Sequence, residues 1–339
     1  MKAFQTPLEE LKDFEDLSNQ LKTLQGIVLI SGCIDAGKPH MIYGIGDGFS
    51  KVVVASSEQK AKELYEEYRF FDKEAVYFPA KDILFYQSDI HGNLLTQERI
   101  LALQAISERE QVTLFTTFDG LMNELAEPFY FTDAVKKFII GDVVDLARLE
   151  KELVAMGYVR NYQVESAGEF AVRGGILDIF PLTEENPFRM ELWGDEIDSL
   201  RNFDVESQRM IENLEEITIY PACEFVLNEE KKDAGIKALR SDCKKLYDRF
   251  RGEMKTEEAH RIKIETENFI EDMAELGGTA NTDFYLPYFV EKTVSILDYF
   301  SSEKTIVFLD EPPRSIDRGR VTEQEFSESM KQRLEKGYL

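Results

Sequence analysis

The stretch that decides the fold of this chain is a series of short apolar runs between glycine turns. It reads GEFAVRGGILDIFP over residues 168–181 and, after a polar loop, FRMELWGDEIDSLRNFD over residues 188–204. Alternating apolar and polar residues favour strands with one buried face, and Gly174-Gly175 and Gly194-Asp195 are typical of tight turns. The stretch predicts two β-hairpins whose polar face carries arginines and one tryptophan. An ordinary antiparallel sheet without a binding role also fits this pattern.

The composition limits the classes of function. Acidic residues outnumber basic ones 65 to 40 among 339 residues, a net charge of −25. Since DNA carries one negative charge per ~1.7 Å, we expect weak non-specific DNA binding by this chain alone. No basic-then-apolar leader and no apolar run near the ~18 residues of a membrane span is present, so we expect a cytoplasmic protein. The cysteines, Cys33, Cys223 and Cys243, are far apart and predict neither disulfides nor a metal site.

A loop typical of phosphate binding follows a predicted buried strand. The strand is Ile27–Ser31, and the loop reads GCIDAGKP over residues 32–39. It fits the first seven positions of Gly-x-x-x-x-Gly-Lys-[Ser/Thr], in which backbone N–H groups and the lysine hold phosphate and the hydroxyl holds Mg²⁺. Pro39 stands in the hydroxyl position, and Asp35 adds a negative charge inside the loop. We therefore expect the shape of a phosphate loop without competent nucleotide chemistry, although a coincidental Gly-Lys pair remains an alternative.

Strands and helices alternate on either side of the antiparallel stretch. The alternation implies a parallel, doubly wound sheet. Its last strand ends in Asp310-Glu311, the form of the acidic motif that holds Mg²⁺ in phosphate-loop ATPases. Loop and acidic pair together predict one ATPase-like lobe interrupted by the antiparallel domain. The predicted strands are residues 52–55, 76–78, 112–117 and 305–309, and the predicted helices are 58–71 and 97–107.

The character of the sequence changes near Gly141. Asp145 is a good helix cap, Gly157 ends the helix that follows, and antiparallel strands continue to Pro221. Residues 228–277 then read as highly charged helices. The predicted domains are a degenerate ATPase-like lobe at 1–140, an inserted α+β domain at 141–225, and a helical region with a strand that completes the lobe at 226–339.

The order of these features resembles the N-terminal, UvrB-like region of bacterial transcription-repair coupling factors. The most specific matches are Gly168–Gly174, Ile176–Pro181, Asp195–Arg201 and Leu297–Phe300, the last lying before Asp310-Glu311. The resemblance covers nearly all of the chain. It implies an α/β fold: a degenerate P-loop (RecA/helicase-like) parallel-sheet lobe with an inserted antiparallel α+β domain, as in UvrB.

The resemblance also implies a partner and the residues that contact it. In this family the inserted domain docks on UvrA through arginines, and Arg160 and Arg173 stand at matching positions. We expect these arginines to form the UvrA-binding site, with Phe170 as their packing support. Ala171 replaces an arginine of UvrB, so the resemblance is weaker at that contact. The alternative is that either arginine only makes an ion pair within its own domain.

Nucleotide and DNA chemistry are expected to be lost from this chain or located elsewhere. The stretch between Tyr86 and Gln97 is too short for the aromatic hairpin by which UvrB grips DNA. We expect no catalytic residue, cofactor or metal in this chain, which would be a fragment of a longer protein. ATP and Mg²⁺, RNA polymerase and double-stranded DNA would be bound by the C-terminal part of the full-length family member. The degenerate nucleotide-binding residues would be Gly32, Gly37, Lys38, Asp310 and Glu311.

The function expected from these features is recruitment of UvrA in nucleotide excision repair of the transcribed strand, without ATP hydrolysis. The alternative from another class is a working ATP-dependent helicase or translocase lobe that acts on DNA. The two differ in whether nucleotide binding that depends on Lys38 stabilises the protein. A third reading, an autoinhibitory clamp on a translocase, is implied by family membership alone.

Overall fold

Helices and strands follow one another along most of the chain. The computed structural model describes residues 4–12, 14–23, 26–81, 92–276 and 282–338. The helices are α1 (Thr6–Glu9), α2 (Phe14–Thr23), α3 (Lys38–Gly44), α4 (Glu58–Tyr68), α5 (Gly92–Glu108), α6 (Phe118–Met122), α7 (Phe129–Thr132), α8 (Leu146–Ala155), α9 (Glu229–Gly252), α10 (Thr256–Leu276), α11 (Thr282–Phe289) and α12 (Pro312–Lys336), with 3-10 turns at Asp35–Gly37 and Ile296–Tyr299. The strands are β1 (Ser50–Ala55), β2 (Val76–Tyr77), β3 (Thr113–Thr117), β4 (Lys136–Ile139), β5 (Val159–Arg160), β6 (Glu169–Arg173), β7 (Ile176–Ile179), β8 (Phe188–Trp193), β9 (Glu196–Phe203), β10 (Met210–Leu214), β11 (Glu216–Ile219) and β12 (Thr305–Leu309).

The chain forms two compact units, each made of separate segments. The three-part division at residues 140 and 225 stays a prediction. Unit 1 comprises Met1–Gln87, Ala105–Asn123 and Ser295–Glu325, and unit 2 comprises Ser88–Gln104, Glu124–Val294 and Phe326–Leu339.

Unit 1 is built on a four-stranded parallel sheet in the order β12-β1-β3-β2. Val52 of β1 pairs with Val307 on one side and with Leu114 on the other. Every residue of β1 and β3 is buried, as is typical of the central strands of a parallel sheet. Val53 packs with Leu64 of α4 in the same buried cluster. The parallel α/β lobe predicted from alternating strands and helices is confirmed.

The buried strand predicted at Ile27–Ser31 is wrong. These residues form no strand and pair with none in the described part of the chain. Ile27 is 101 % exposed and Leu29 80 % exposed. The apolar run shows a preference for burial, but a strand also needs a neighbour to bind its backbone N–H and C=O groups. β12 is paired only with β1, so its other edge carries no strand among the described residues.

Unit 2 contains a six-stranded sheet in the order β10-β9-β8-β7-β6-β5. All neighbouring strands are antiparallel except β5 and β6. Both predicted hairpins are confirmed, because β6 pairs with β7 and β8 pairs with β9. Gly174 and Gly194 lie in their turns with φ of 62° and 72°, the left-handed region that favours glycine. A separate two-stranded sheet joins β4 and β11.

Helices make up the rest of unit 2. Asp145 caps α8 by accepting a hydrogen bond from the backbone N–H of Arg148 at 3.1 Å, as its side chain predicts. The charged region predicted to be helical forms α9 and α10, and Leu239, Phe269 and Phe289 lie in a buried cluster with them. No helix in the described ranges is long and apolar enough to cross a membrane.

Candidate protein-interaction face and degenerate phosphate loop

A row of one alanine and three charged residues crosses one face of the six-stranded sheet. The strand register places Ala171, Asp178, Arg189 and Arg201 opposite one another on β6, β7, β8 and β9. Paired residues project to the same side of a sheet, and residues next to them along each strand project to the other side. The opposite side therefore carries the buried row Phe170, Leu177, Ile179, Phe188, Met190 and Leu200. We call the side with the three charged residues the open face.

Asp178 organises the charges of the open face. Its side chain is 1 % exposed. It accepts hydrogen bonds from Nε and Nη2 of Arg189 at 2.5 and 2.8 Å and from Nη2 of Arg173 at 2.5 Å. The guanidinium of Arg189 also lies 4.4 Å from the ring centre of Phe203. Hydrogen bonding to Asp178 raises the pKa of Arg189 above its ordinary value, against the effect of burial, so this arginine is a fixed cation.

Arg173 and Trp193 lie at the same end of the open face. Arg173 is the last residue of β6 and has 37 % of its side chain exposed. The backbone N–H of Leu192 donates to Gly175 O at 2.8 Å, which places the β6–β7 turn beside the end of β8. Trp193 ends β8 on the same face and is 84 % exposed. An exposed aromatic side chain and a partly exposed arginine therefore lie at the same end of the open face, on two strands separated by β7.

Trp193 was not among the predicted site residues. It pairs with Glu196, which in turn bridges to Val143. Val143 is 72 % exposed, so a second exposed apolar side chain lies near this hairpin. The position of Trp193 two residues after Glu191 and directly before Gly194 could have indicated an exposed aromatic residue on the polar face.

Arg160 lies on the other side of the sheet from Arg173. It pairs with Phe170 in the β5–β6 ladder, and Arg173 lies three positions after Phe170 along β6, so the two project to opposite sides. Its guanidinium makes an ion pair with Glu150 of α8 at 3.0 Å, with 56 % of the side chain exposed. Phe170 itself is fully buried at 0 % and packs in the core. The structure thus does not bring the two predicted arginines onto one face, and each makes an ion pair within unit 2.

The loop at residues 32–39 places its lysine between two carboxylates. Nζ of Lys38 lies 2.7 Å from Oδ1 of Asp35 and 2.7 Å from Oδ1 of Asp310. Partial burial opposes the charge of Lys38, but the hydrogen bonds to Asp310 and Asp35 outweigh it and raise the pKa of the lysine above its ordinary value. The bond from Lys38 in turn lowers the pKa of Asp35. These carboxylates occupy two of the three N–H donors of the lysine and partly neutralise the charge that a phosphate would need.

The other predicted nucleotide-site residues surround this ion pair. Gly32 has φ of 80°, and Gly37 ends the 3-10 turn before α3. Pro39 lies in the first turn of α3, where a missing N–H is tolerated. Glu311 has φ of 46° and its carboxylate pairs with Arg314 at 2.7 Å. The structure therefore brings Lys38 and Asp310 together, while the Glu311 carboxylate pairs with an arginine of α12.

Metal and DNA binding have no further support in this structure. In the described ranges no group of three or more His, Cys, Asp or Glu side chains is placed to hold a metal ion. The stretch after Tyr86, on which the loss of the DNA-gripping hairpin was predicted, lies outside the described residues up to residue 91. That expectation stays a prediction.

The open face lies in a segment that matches a known domain family. Residues 137–225 match the family model of the UvrB interaction domain. The match contains α8, the six-stranded sheet and both faces described above. The class of fold is therefore UvrB-like: a parallel α/β lobe with an antiparallel UvrB interaction domain.

Relatives with curated names extend the match to nearly the whole chain. The chain is 28 % identical to UvrABC system protein B of Fervidobacterium nodosum, covering 93 % of this chain and 52 % of the relative. It is 26 % identical to the transcription-repair-coupling factor of Bacillus subtilis, covering 100 % of this chain and 29 % of the relative. It is 29 % identical to the transcription-repair-coupling factor of Staphylococcus aureus strain RF122, covering 92 % of this chain and 26 % of the relative. The predicted resemblance is confirmed, and the chain spans about half the length of its UvrB relative and less than a third of the coupling factors.

Proposed function

We propose that this chain recruits UvrA through the open face of its UvrB interaction domain, as part of a transcription-repair coupling factor in nucleotide excision repair. The observation that carries the proposal is that the partly exposed Arg173 and the exposed Trp193 lie at the same end of that face. The matches to UvrB and to coupling factors support the same pathway. The cytoplasm of a bacterial cell is the proposed location.

Arg173 is suited to bind a carboxylate of the partner. Nη2 of Arg173 donates a hydrogen bond to Asp178. A guanidinium carries five N–H donors in all. The remaining donors lie on a side chain that is 37 % exposed. Because Asp178 holds the guanidinium in place, little side-chain entropy is lost when a partner binds, and a second carboxylate can bond in the bidentate geometry that arginine favours.

Trp193 supplies the apolar part of the contact. It is 84 % exposed on a sheet face that also carries several charged side chains. Tryptophan and arginine dominate the binding energy of many interfaces, and truncation of such a residue costs ~2 kcal/mol or more. Arg160 lies at the β5 edge on the opposite side, so we propose a secondary contact there, reached by a partner that wraps the sheet edge.

The test is the affinity for UvrA of the single variants Arg173→Ala, Trp193→Ala and Arg160→Ala and of the Arg160→Ala/Arg173→Ala double variant. Arg173→Ala and Trp193→Ala should each weaken binding at least about tenfold, and Arg160→Ala should weaken it less. Melting temperatures should stay close to that of the parent chain. The matched control is Arg148→Ala, which removes a 77 % exposed arginine from α8. Undiminished binding by both open-face variants would reject the assignment.

We further propose that unit 1 does not hydrolyse ATP. The support is the ion pairing of Lys38 with Asp35 and Asp310 and the proline in the hydroxyl position. Titration of MgATP should leave the melting temperature unchanged, whereas a ligand at ~100 times its dissociation constant adds ~2.7 kcal/mol to stability. A clear upward shift that Lys38→Met abolishes would support the working ATPase lobe instead. Contacts with RNA polymerase and double-stranded DNA, and the use of ATP and Mg²⁺, are proposed for the rest of a full-length coupling factor.

A further inference from the structure

A buried lysine in unit 1 has no part in the proposed function. Lys51, in β1, is 6 % exposed. Its Nζ donates hydrogen bonds of 2.8 Å to the carbonyl oxygens of Ile42 and Tyr43. These carbonyls belong to the last turn of α3, whose final carbonyls have no partner within the helix. The amine is therefore held at a fixed position against the end of a helix.

Lys51 also lines a cavity of unit 1. The cavity has a volume of about 190 Å³ and is lined by Lys51 together with Tyr43, Asp47, Tyr68 and Asp72 among others. A water occupies about 30 Å³ of liquid, so this space holds several waters or one small organic molecule. A fixed amine thus borders a space of molecular size.

The surroundings of Lys51 favour the uncharged form of its amine. Burial lowers the pKa of Lys51 to about 8, although the nearby carboxylates of Asp47 and Asp72 act to raise it. The hydroxyl of Tyr68, which also lines the cavity, is engaged with Thr113 Oγ1 at 3.1 Å. A neutral amine has two hydrogens, and the two carbonyls match that number, which leaves the nitrogen lone pair as its free valence. A desolvated lysine of this kind is a nucleophile.

We propose that Lys51 is a reactive-amine site that takes a small uncharged aldehyde into this cavity and forms an imine with it. The lone pair of Nζ adds to the carbonyl carbon, and a proton moves from nitrogen to the oxygen to give a carbinolamine. Loss of water then forms the C=N bond, and a proton from solvent gives the iminium cation. No oxidant or reductant is consumed.

The two carboxylates select among electrophiles. Asp47 and Asp72 stabilise a positive charge at Nζ, which the iminium product retains. An acyl donor would leave a neutral amide, and carbon dioxide would leave an anionic carbamate that these carboxylates repel. The inference rests on unit 1 alone and does not depend on UvrA binding.

The experiment is reductive alkylation of the intact chain with propionaldehyde and cyanoborohydride, followed by residue-resolved mass spectrometry. At pH 7 an amine of pKa about 8 has a neutral fraction roughly two hundred times that of an ordinary lysine of pKa ~10.4. After an allowance for restricted access, Lys51 should be modified at least about tenfold faster than the exposed Lys245 of α9, and its rate should reach half of its maximum near pH 8. Lys38, whose pKa is raised by its two carboxylates, should be among the slowest lysines.

Two further measurements make the test decisive. Asp72→Asn removes a charge that raises the pKa of Lys51, so the midpoint of the pH profile should move to lower pH. Addition of MgATP or UvrA should leave the labelling unchanged. Labelling of Lys51 no faster than that of Lys245, or a midpoint near that of an ordinary lysine, would overturn the proposal, whatever the outcome of the UvrA experiments.

Discussion

At the scale of single residues, a buried arginine–carboxylate pair joins two segments of unit 2. Nε of Arg99 lies 2.6 Å from Oε1 of Glu224, and their side chains are 0 % and 6 % exposed. Nη2 of Arg99 bonds the second oxygen at 3.0 Å, so the pair is bidentate. Such a pair adds little net stability compared with apolar residues, but removal of one partner leaves an uncompensated buried charge.

Replacing one partner of this pair should therefore lower the free energy of unfolding far more than replacing both partners. Arg99→Met should lower the free energy of unfolding by ~3–5 kcal/mol, because the buried Glu224 then loses both hydrogen bonds from the guanidinium of Arg99. The Arg99→Met/Glu224→Met double variant should recover a substantial part of the loss. Urea denaturation of the single variants and the double variant measures this coupling, and strictly additive losses would contradict it.

The two arginines on Asp178 should differ in the same way. Arg189 supplies two of the three hydrogen bonds and is 15 % exposed, whereas Arg173 supplies one and is 37 % exposed. Arg173→Ala should cost about 1 kcal/mol or less, which keeps it usable in binding assays. Arg189→Ala should be clearly less stable than Arg173→Ala by urea denaturation. Equal losses of stability from the two variants would show that Asp178 depends no more on Arg189 than on Arg173.

At the scale of elements, the extended residues 27–31 and the strand β1 look alike in sequence but differ in surroundings. Both are short apolar runs next to a helix. Leu29 is 80 % exposed, whereas Val53 is 1 % exposed between two paired strands. Leu29→Ala should change the free energy of unfolding by no more than about 0.5 kcal/mol, and Val53→Ala should lower it by ~2 kcal/mol. A large loss from Leu29→Ala would restore the buried strand predicted from the sequence.

This contrast shows which structural features the sequence patterns predict correctly and which they do not. Alternation and glycine turns were enough to predict the hairpins around Gly174 and Gly194, because those signals are local. Whether a strand finds a neighbour depends on distant residues, as in the pairing of Ser50 with Thr305. The arginines could be matched to a family by their positions in the sequence. The side of the sheet on which each one lies could not be predicted, because the side of Arg160 depends on which residue of β6 it pairs with.

At the scale of the whole molecule, the charge balance predicts loss of stability in acid. Hydrogen bonds from Lys136 and Arg148 lower the pKa of Glu152 despite its partial burial, and Lys38 lowers that of Asp35. A carboxyl group whose folded pKa is depressed adds stability that is fully present above its unfolded pKa and is lost as the pH falls through the folded value. Stability should therefore fall below about pH 4.5.

The urea midpoint measured between pH 7 and pH 3 checks this dependence. Glu152→Gln should flatten the decline, since it removes one of the depressed groups. The control is Glu335→Gln, a change at an exposed residue of α12, which should leave the slope nearly unchanged. A midpoint that stays constant down to pH 3 would rule out these carboxylates as the cause.

The order of strands β12-β1-β3-β2 has a consequence for the nascent protein. β1 meets β12 only after roughly 250 further residues have been made, which takes on the order of 12–50 s at ~5–20 residues per second. All strands of the six-stranded sheet lie within that interval of the chain, and their local hairpin contacts form quickly. The six-stranded sheet can thus be complete on the ribosome while the parallel sheet still lacks one strand, and during that time β1 offers an apolar edge to chaperones and proteases.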